Sequence, residues 1–483
     1  MVERRLAYYA VSLHCTSYAF PDIVTAWAAG YQQFAVYFKY KRSSMGQELP
    51  STSLLIFGVT GDLSRRYLLP ALSEICESSD IRTRLKIVGL SRRDVKATDI
   101  LPAGTANLAD QFEVFQMDYG RADQYDKLKR KIKSLDTEQV IFYFAVPPEA
   151  VLPIVANLGK AGLDGDGIKL LLEKPFGSDL ASAGKIIDEA NRYFKEEQIY
   201  RIDHYLAKEM AQNIAVFLGS NAVFRHVWSS EFIDFIEIVI AEKIGIEGRG
   251  NFYEQTGALR DIIQSHGLQL AALTLMEPCP HDFDFNDLPS RRLAALKQLA
   301  IPKKELDESV VRAQYDGYKN EVGNPDSATE TFAALKLTSS DPRWAQTPVY
   351  LATGKNLDQK LTQIRVNFKK DNNSEPNSLV LRVQPGEGIE LDLWVKQPGY
   401  DRKLQKKTLS FSYEQDFDDR LPNAYEQILV DAMRGSQSLF AGSGEVLESW
   451  RIIQPVLDYW KSQKAGLKKY KPGSSVEQIL KNT

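Results

Sequence analysis

The chemically densest stretch of the chain is Arg201-Ile202-Asp203-His204-Tyr205-Leu206-Ala207-Lys208-Glu209, with six polar or charged side chains in nine residues. If a helix begins near Tyr205, His204 and Lys208 stand four apart and project together. With Tyr205 alongside, they form a compact site for a dianion, and Asp203 is left to point elsewhere. A blander reading makes Asp203 an N-cap ahead of a solvated helix face. That suits the aspartate but not the other side chains. A second candidate is His266, on a helix expected over 258–276 with Leu259, Ile262, Ile263 and Leu270 on the same apolar stripe. A lone histidine on such a stripe is more often a satisfied core residue. It becomes a general base when a carboxylate fixes its tautomer and stabilises the imidazolium formed on proton abstraction. Asp261, five residues earlier, would lie about 140° away on an α-helix. Asp203 is therefore the better partner.

A second set of motifs points to a dinucleotide. Gly58-Val59-Thr60-Gly61-Asp62-Leu63 follows an apolar strand and opens a helix. Glycine there lets the backbone turn sharply and approach a pyrophosphate, which a helix N-terminus stabilises. Tight strand-to-helix turns also use glycine for sterics alone, and the spacing departs from G-x-G-x-x-G. The next strand ends in Ser91-Arg92-Arg93, where NAD sites usually place an acid for the ribose diol. Guanidinium forks suit a 2′-phosphate instead. NADP is favoured over NAD, with plain solvated charge as the alternative. The segments 142–148, Phe-Tyr-Phe-Ala-Val-Pro-Pro, and 172–177, Leu-Glu-Lys-Pro-Phe-Gly, end two further strands, where such domains bind ligands. Lys174 could reach both nicotinamide ribose and substrate, and Pro175 is a candidate cis proline.

The elements that must position these residues fall into two rhythms. Short apolar runs at 53–59, 86–90, 112–117, 140–146 and 168–172 alternate with helix-spaced segments at 63–76, 122–135 and 148–161. That is the pattern of a parallel sheet covered on both faces. Beyond residue 200, segments 232–241, 331–338, 349–353, 361–368, 379–383, 389–395 and 408–413 alternate apolar and polar residues, with helices expected at 258–276, 291–300, 424–433 and 446–460. One-sided antiparallel strands read this way. The fold class is an α/β, Rossmann-like doubly wound domain followed by an α+β domain with a large, mainly antiparallel sheet. Open loops are expected at 282–290 and 370–377.

Composition narrows the function. Lys+Arg 60 against Asp+Glu 63 gives a formal net charge of −3, which excludes a generic nucleic-acid binder. Three cysteines without C-x-x-C spacing argue against a disulfide scaffold or thiolate zinc site and fit a cytoplasmic setting. No His, Asp and Glu spacing calls for a metal. Residues 1–44 are compositionally foreign, with ten aromatics and only two acids, Glu3 and Asp22. His14, Pro21 and Asp22 interrupt them too often for a membrane span, and Arg4-Arg5 ahead of 6–13 makes a poor signal peptide. They read as an atypical extension, with Met45 as the true start. The expected domains are 45–200 for the dinucleotide and 201–483 for substrate and dimerisation.

With these motifs in hand, the chain resembles the glucose-6-phosphate dehydrogenase family from about Leu54 onward. The family's RIDHYLGKE hallmark stands here as residues 201–209, with Ala207 replacing glycine. The glycine turn, Glu173–Gly177, Ala241-Glu242-Lys243 and the Asp261…His266 helix follow in family order. Ser265-His266-Gly267 departs from the usual Asn-His followed by a bulky apolar residue, and Lys360 stands where some relatives carry arginine. The resemblance implies His266 as general base paired with Asp203, and His204, Tyr205 and Lys208 on the sugar phosphate. It implies Glu242, Asp261, Lys174 and Lys355 on the pyranose hydroxyls. Gly58, Thr60, Gly61, Asp62, Leu63, Arg92, Tyr143 and Lys174 would contact NADP. It further implies oxidation of glucose 6-phosphate at C1, the first step of the oxidative pentose phosphate route, by a homodimer or dimer of dimers. Two competing readings are another sugar oxidoreductase with a Glu-Lys-Pro strand and a catalytically silent NADP-binding protein.

Overall fold

The first five apolar runs and a sixth strand form one sheet: β1 (Thr52–Phe57), β2 (Leu85–Ser91), β3 (Phe112–Gln116), β4 (Gln139–Phe144), β5 (Ile168–Leu172) and β6 (Ile199–Ile202). Their order is β6-β5-β4-β1-β2-β3, all parallel. β1 and β4 are buried along their whole length, as strands covered on both faces must be. The chain leaves β1 between two neighbours reached in opposite directions. Ligands of doubly wound sheets bind in the crevice at such a point.

The second sheet contains β7 (Ile233–Ala241), β8 (Leu299–Ala300), β9 (Val310–Tyr315), β10 (Phe332–Ser339), β11 (Val349–Gly354), β12 (Leu361–Phe368), β13 (Ser378–Gln384), β14 (Gly388–Lys396) and β15 (Leu404–Ser412). Strand β16 (Phe440–Ala441) instead pairs antiparallel with β6, and β17 (Leu467–Tyr470) ends the large sheet. The order there is β15-β14-β13-β12-β7-β11-β10-β9-β17. It is antiparallel except where β7 meets β11 and β9 meets β17. Ile236, Ile238, Ile364, Val366, Leu379 and Leu381 turn inward to a core shared with the helices Glu209–Ser220 and Leu268–Leu275.

The computed structural model describes residues 49–280, 283–370, 375–418, 420–462 and 466–482. The expected extension at 1–44, the start at Met45, Asp282 and residues 371–374 lie outside the described residues. Several sequence expectations need correction. A sixth strand that the apolar runs did not reveal, β6, passes through position 200 and leads into the polar motif. No helix begins at Tyr205: Asp203 Oδ1 accepts from Tyr205 N at 3.0 Å, two turns follow, and the helix starts at Glu209. A short side-chain oxygen that bonds the backbone two residues on competes with helix formation in this way. The stretch expected as one α-helix over 258–276 opens with a π-helix, Leu259–Gly267, and the helix expected over 63–76 likewise begins as a π-turn, Ser64–Leu68. The segment expected as an open loop over 282–290 is ordered at its end, where Leu288–Gln298 is helical. Among the described residues, no helix is long and apolar enough to cross a membrane.

Candidate active site

The ends of two strands, β5 and β6, converge on His266. Its ring is 1% exposed, and Nδ1 lies 2.5 Å from Oδ1 of Asp203, itself 3% exposed, at the end of β6. Burial alone would raise the Asp203 pKa, but His266, His204 and Lys174 around it hold the carboxylate ionised, well below its usual range. An ionised acceptor there places the imidazole proton on Nδ1 and leaves Nε2 as a lone-pair acceptor. Burial, assisted by the nearby Lys174 charge, also pushes the His266 pKa below its ordinary value. The ring is thus neutral near pH 7. Tyr205 stacks on it at 4.2 Å between centroids, and His204 meets it edge-on at 4.6 Å.

Lys174, two residues past β5, connects this pair to a carboxylate cluster. Its Nζ lies 2.9 Å from His266 Nε2 and donates to Asp261 O at 2.7 Å and Asp261 Oδ1 at 3.2 Å. Asp261 is bonded to Lys174 rather than to the His266 ring, yet it is a neighbour of the histidine, although α-helical spacing would set them about 140° apart. The π-helical i→i+5 register brings residues five apart back to nearly one face, which an α-helix would not. Lys174–Pro175 is cis. Just before it, Glu173 accepts from the Tyr143 hydroxyl at 2.5 Å, and burial raises the Glu173 carboxyl to about 7. Lys355, after β11, donates to Glu242 Oε2 at 2.5 Å and stands 3.9 Å from Asp261 Oδ2. Burial opposes ionisation of Asp261, but Lys174 and Lys355 hold its pKa below the usual carboxylate value. Lys174 and Glu242 are each about a quarter exposed, so the cluster opens to solvent on their side.

The anionic subsite residues lie on the turns that replace the expected helix. Lys208 is half-buried and has no ion pair among the described residues. The Tyr205 hydroxyl accepts from Gln384 Nε2 at 3.1 Å. Sequence reasoning missed Gln384, whose only signal was its place at the end of an alternating strand before Pro385. Burial pushes the His204 pKa well below its ordinary value, so this ring offers a neutral N–H. Ala207 has no left-handed backbone, so its methyl is unstrained. The glycine after the base also has a packing reason, since a Cβ on Gly267 would meet Leu351 Cδ2 at 2.9 Å.

At the crevice by β1, Gly58 has φ +78°, and a Cβ there would lie 2.1 Å from Ala145 O. Only glycine allows this turn. Gly61 N donates to Gly58 O at 2.9 Å, folding the loop into the π-turn. Thr60 and Leu63 are partly exposed at its mouth, and Asp62 is exposed and paired with Arg66 at 2.8 Å. Arg92 is exposed over the Tyr119 ring at 5.5 Å, without an ion pair among the described residues. Tyr143 is placed differently from the other expected coenzyme contacts. It is fully buried, with its hydroxyl on Glu173.

A doubly wound domain whose strand ends meet a buried carboxylate–imidazole pair defines a dinucleotide-dependent oxidoreductase. Residues 55–213 match the family model for the glucose-6-phosphate dehydrogenase NAD binding domain, and residues 215–482 match that for the C-terminal domain. The chain belongs to the glucose-6-phosphate dehydrogenase family. The glucose-6-phosphate 1-dehydrogenase of Borreliella burgdorferi is 36% identical over 441 residues, covering 84% of this chain and 91% of that one. The Bacillus subtilis protein of the same name is 35% identical, covering 88% and 95%. A solved glucose-6-phosphate dehydrogenase in complex with its substrate glucose-6-phosphate superposes with a TM-score of 0.84 at 28% identity, covering 90% of this chain and 97% of that one. The Mycobacterium avium glucose-6-phosphate 1-dehydrogenase gives 0.78 at 32% identity, covering 88% and 94%.

Proposed function

We propose that this chain oxidises glucose 6-phosphate at C1 to 6-phospho-D-glucono-1,5-lactone with NADP, the first step of the oxidative pentose phosphate pathway. The observation that carries the reading is the contact series Asp203–His266–Lys174, buried at one end and open at the other. His266 Nε2 takes the proton of the C1 hydroxyl, and Asp203 stabilises the imidazolium that results. Lys174 Nζ lies beside Nε2, so a C1 hydroxyl bonded to Nε2 would take that place and the ammonium would turn to a sugar oxygen. Glu242, Asp261 and Lys355 are arranged to bond further pyranose hydroxyls. His204, Tyr205 and Lys208, which has no ion pair among the described residues, suit the phosphate, as neutral donors beside one cation.

Two features of the crevice support NADP. The Gly58 turn, which only glycine can make against Ala145 O, is of the kind that lets backbone approach a pyrophosphate, and Arg92, without an ion pair among the described residues, offers a guanidinium for the 2′-phosphate. Gly58, Thr60, Gly61, Asp62, Leu63, Arg92 and Lys174 would hold it, with Tyr143 bracing Glu173 behind them. When bound, NADP supplies the hydride acceptor. The face of the large sheet where Phe235 and Tyr350 meet edge-on at 6.1 Å and Tyr350 is exposed supports a homodimer or dimer of dimers.

Initial rates with NADP and NAD, and with glucose 6-phosphate and free glucose, test the reading. Preference for NADP and for the phosphorylated sugar is expected, on protein begun at Met1 or at Met45. Activity on free glucose alone would favour another sugar oxidoreductase, and coenzyme binding without turnover would favour a silent binding protein.

A further inference from the structure

Two parts of the site hang from one dipeptide. Glu330, 6% exposed, immediately precedes Thr331 and β10. Its Oε1 accepts from Leu259 N at 3.1 Å, and its backbone oxygen accepts from Ala258 N at 3.0 Å. These are N–H groups at the start of the π-helix that carries Asp261 and His266. Such groups have no partner within the helix and must find one outside it. Gly257 permits the approach: its φ is +67°, and a Cβ there would lie 2.4 Å from Glu330 Oε1. Thr331 O in turn accepts from Lys355 N at 2.9 Å. Tyr470 completes the tie, with its hydroxyl 3.0 Å from Thr331 Oγ1 and donating to Lys355 O at 2.6 Å.

We propose that Glu330 is a positioning residue for the reaction: it pins the start of the π-helix so that Asp261 and His266 face Lys174 and stay in register with Lys355. The inference rests on the reading of His266 as base. Its physical content is the helix register. A π-turn held at its first N–H groups keeps residues five apart on one face, whereas relaxation to an α-helix would turn Asp261 away by about 140°. Burial raises the Glu330 pKa against the pull of the Leu259 N–H and the neighbouring arginines; what Leu259 N needs from the side chain is an acceptor oxygen, so an amide of the same length is a close mimic.

Glu330→Asp and Glu330→Gln separate reach from charge. The aspartate keeps the charge but is one methylene short of Leu259 N, and the glutamine keeps the reach and an acceptor oxygen. Glu330→Asp should lower kcat/KM for glucose 6-phosphate on the order of tenfold to a hundredfold, raise the sugar KM and move the acid limb of the pH profile. The NADP KM should stay put, and Glu330→Gln should stay near wild type. Gly257→Ala, which crowds the same carboxylate, should reproduce the sugar-side defect should Glu330→Asp fold poorly. A purely structural role would lower thermal stability and the active fraction while leaving the sugar KM and pH profile unmoved, and that result overturns the proposal. So does a glutamine variant as impaired as the aspartate. His266→Asn run in parallel separates the two readings: if it is active, the base assignment fails, and if it is inactive while Glu330→Asp behaves as wild type, only the positioning role fails.

Discussion

Replacing Asp203 by asparagine removes one charge from a buried site while keeping its shape. The carboxylate Oδ1 holds His266 Nδ1 at 2.5 Å and Tyr205 N at 3.0 Å. Both donors need an oxygen, so the amide settles with its oxygen toward them and the Nδ1–H tautomer survives. What is lost is stabilisation of the imidazolium. A hydrogen bond to a charged group contributes about 1.5–3 kcal/mol, and two unit charges about 4 Å apart at an effective dielectric near 20 attract by about 4 kcal/mol. At about 1.36 kcal/mol per decade, kcat should fall by about one to three orders of magnitude. The same carboxylate raises the His266 pKa against the effect of burial, so the acid limb of kcat/KM should move to lower pH as the rate drops. Coenzyme reduction followed by absorbance across pH reads both effects. A variant with wild-type kcat, or one whose acid limb moves upward, would refute the pairing.

Other outcomes follow from the same geometry. Lys208→Ala should raise the glucose 6-phosphate KM by tens of fold, the scale of a charged hydrogen bond at about 1.5–3 kcal/mol, with kcat much less changed; an unmoved KM removes Lys208 from the phosphate subsite. Arg92→Ala should raise the KM for NADP but not for NAD, and equal effects on both would place the guanidinium elsewhere. In the wild type, His266 titrates below its usual 6.5 because burial disfavours its charged form, so activity should persist below pH 6.5 before the acid limb sets in. His266 and His204 are both depressed in the fold, so the unfolded chain binds more protons below 6.5, and these rings subtract stability as pH falls. Glu173, raised to about 7, works in the opposite sense between 4.5 and 7. An acid limb centred above 6.5 would contradict the buried neutral imidazole.

The parallel sheet was legible because its strands are continuous apolar runs, a pattern that only burial on both faces explains. The strand Ile199–Ile202 escaped notice since it is four residues long, contains Arg201 and leads straight into the polar motif. Val310–Tyr315 was hidden because Arg312 and Gln314 are buried polar residues that break its alternation. The periodicity of 258–276 revealed a helix but not its π-register, since a hydrophobic stripe sampled at 3.6 residues per turn cannot show a local i→i+5 turn. That register is what makes Asp261 a neighbour of His266 through Lys174. Likewise, the four-residue spacing of His204 and Lys208 suggested a helix, but the Asp203 side chain closes a turn there first. The Lys355–Glu242 pair and the Glu330 tie join residues more than 70 positions apart, which no local pattern encodes.

The central claim is that His266 takes the proton from the sugar hydroxyl. The most direct test is steady-state turnover of His266→Asn with saturating glucose 6-phosphate and NADP, alongside the sugar KM. The account predicts a kcat lower by several orders of magnitude with only a modest change in KM, since asparagine fills the space but accepts no proton. A variant that turns over near the wild-type rate would contradict it.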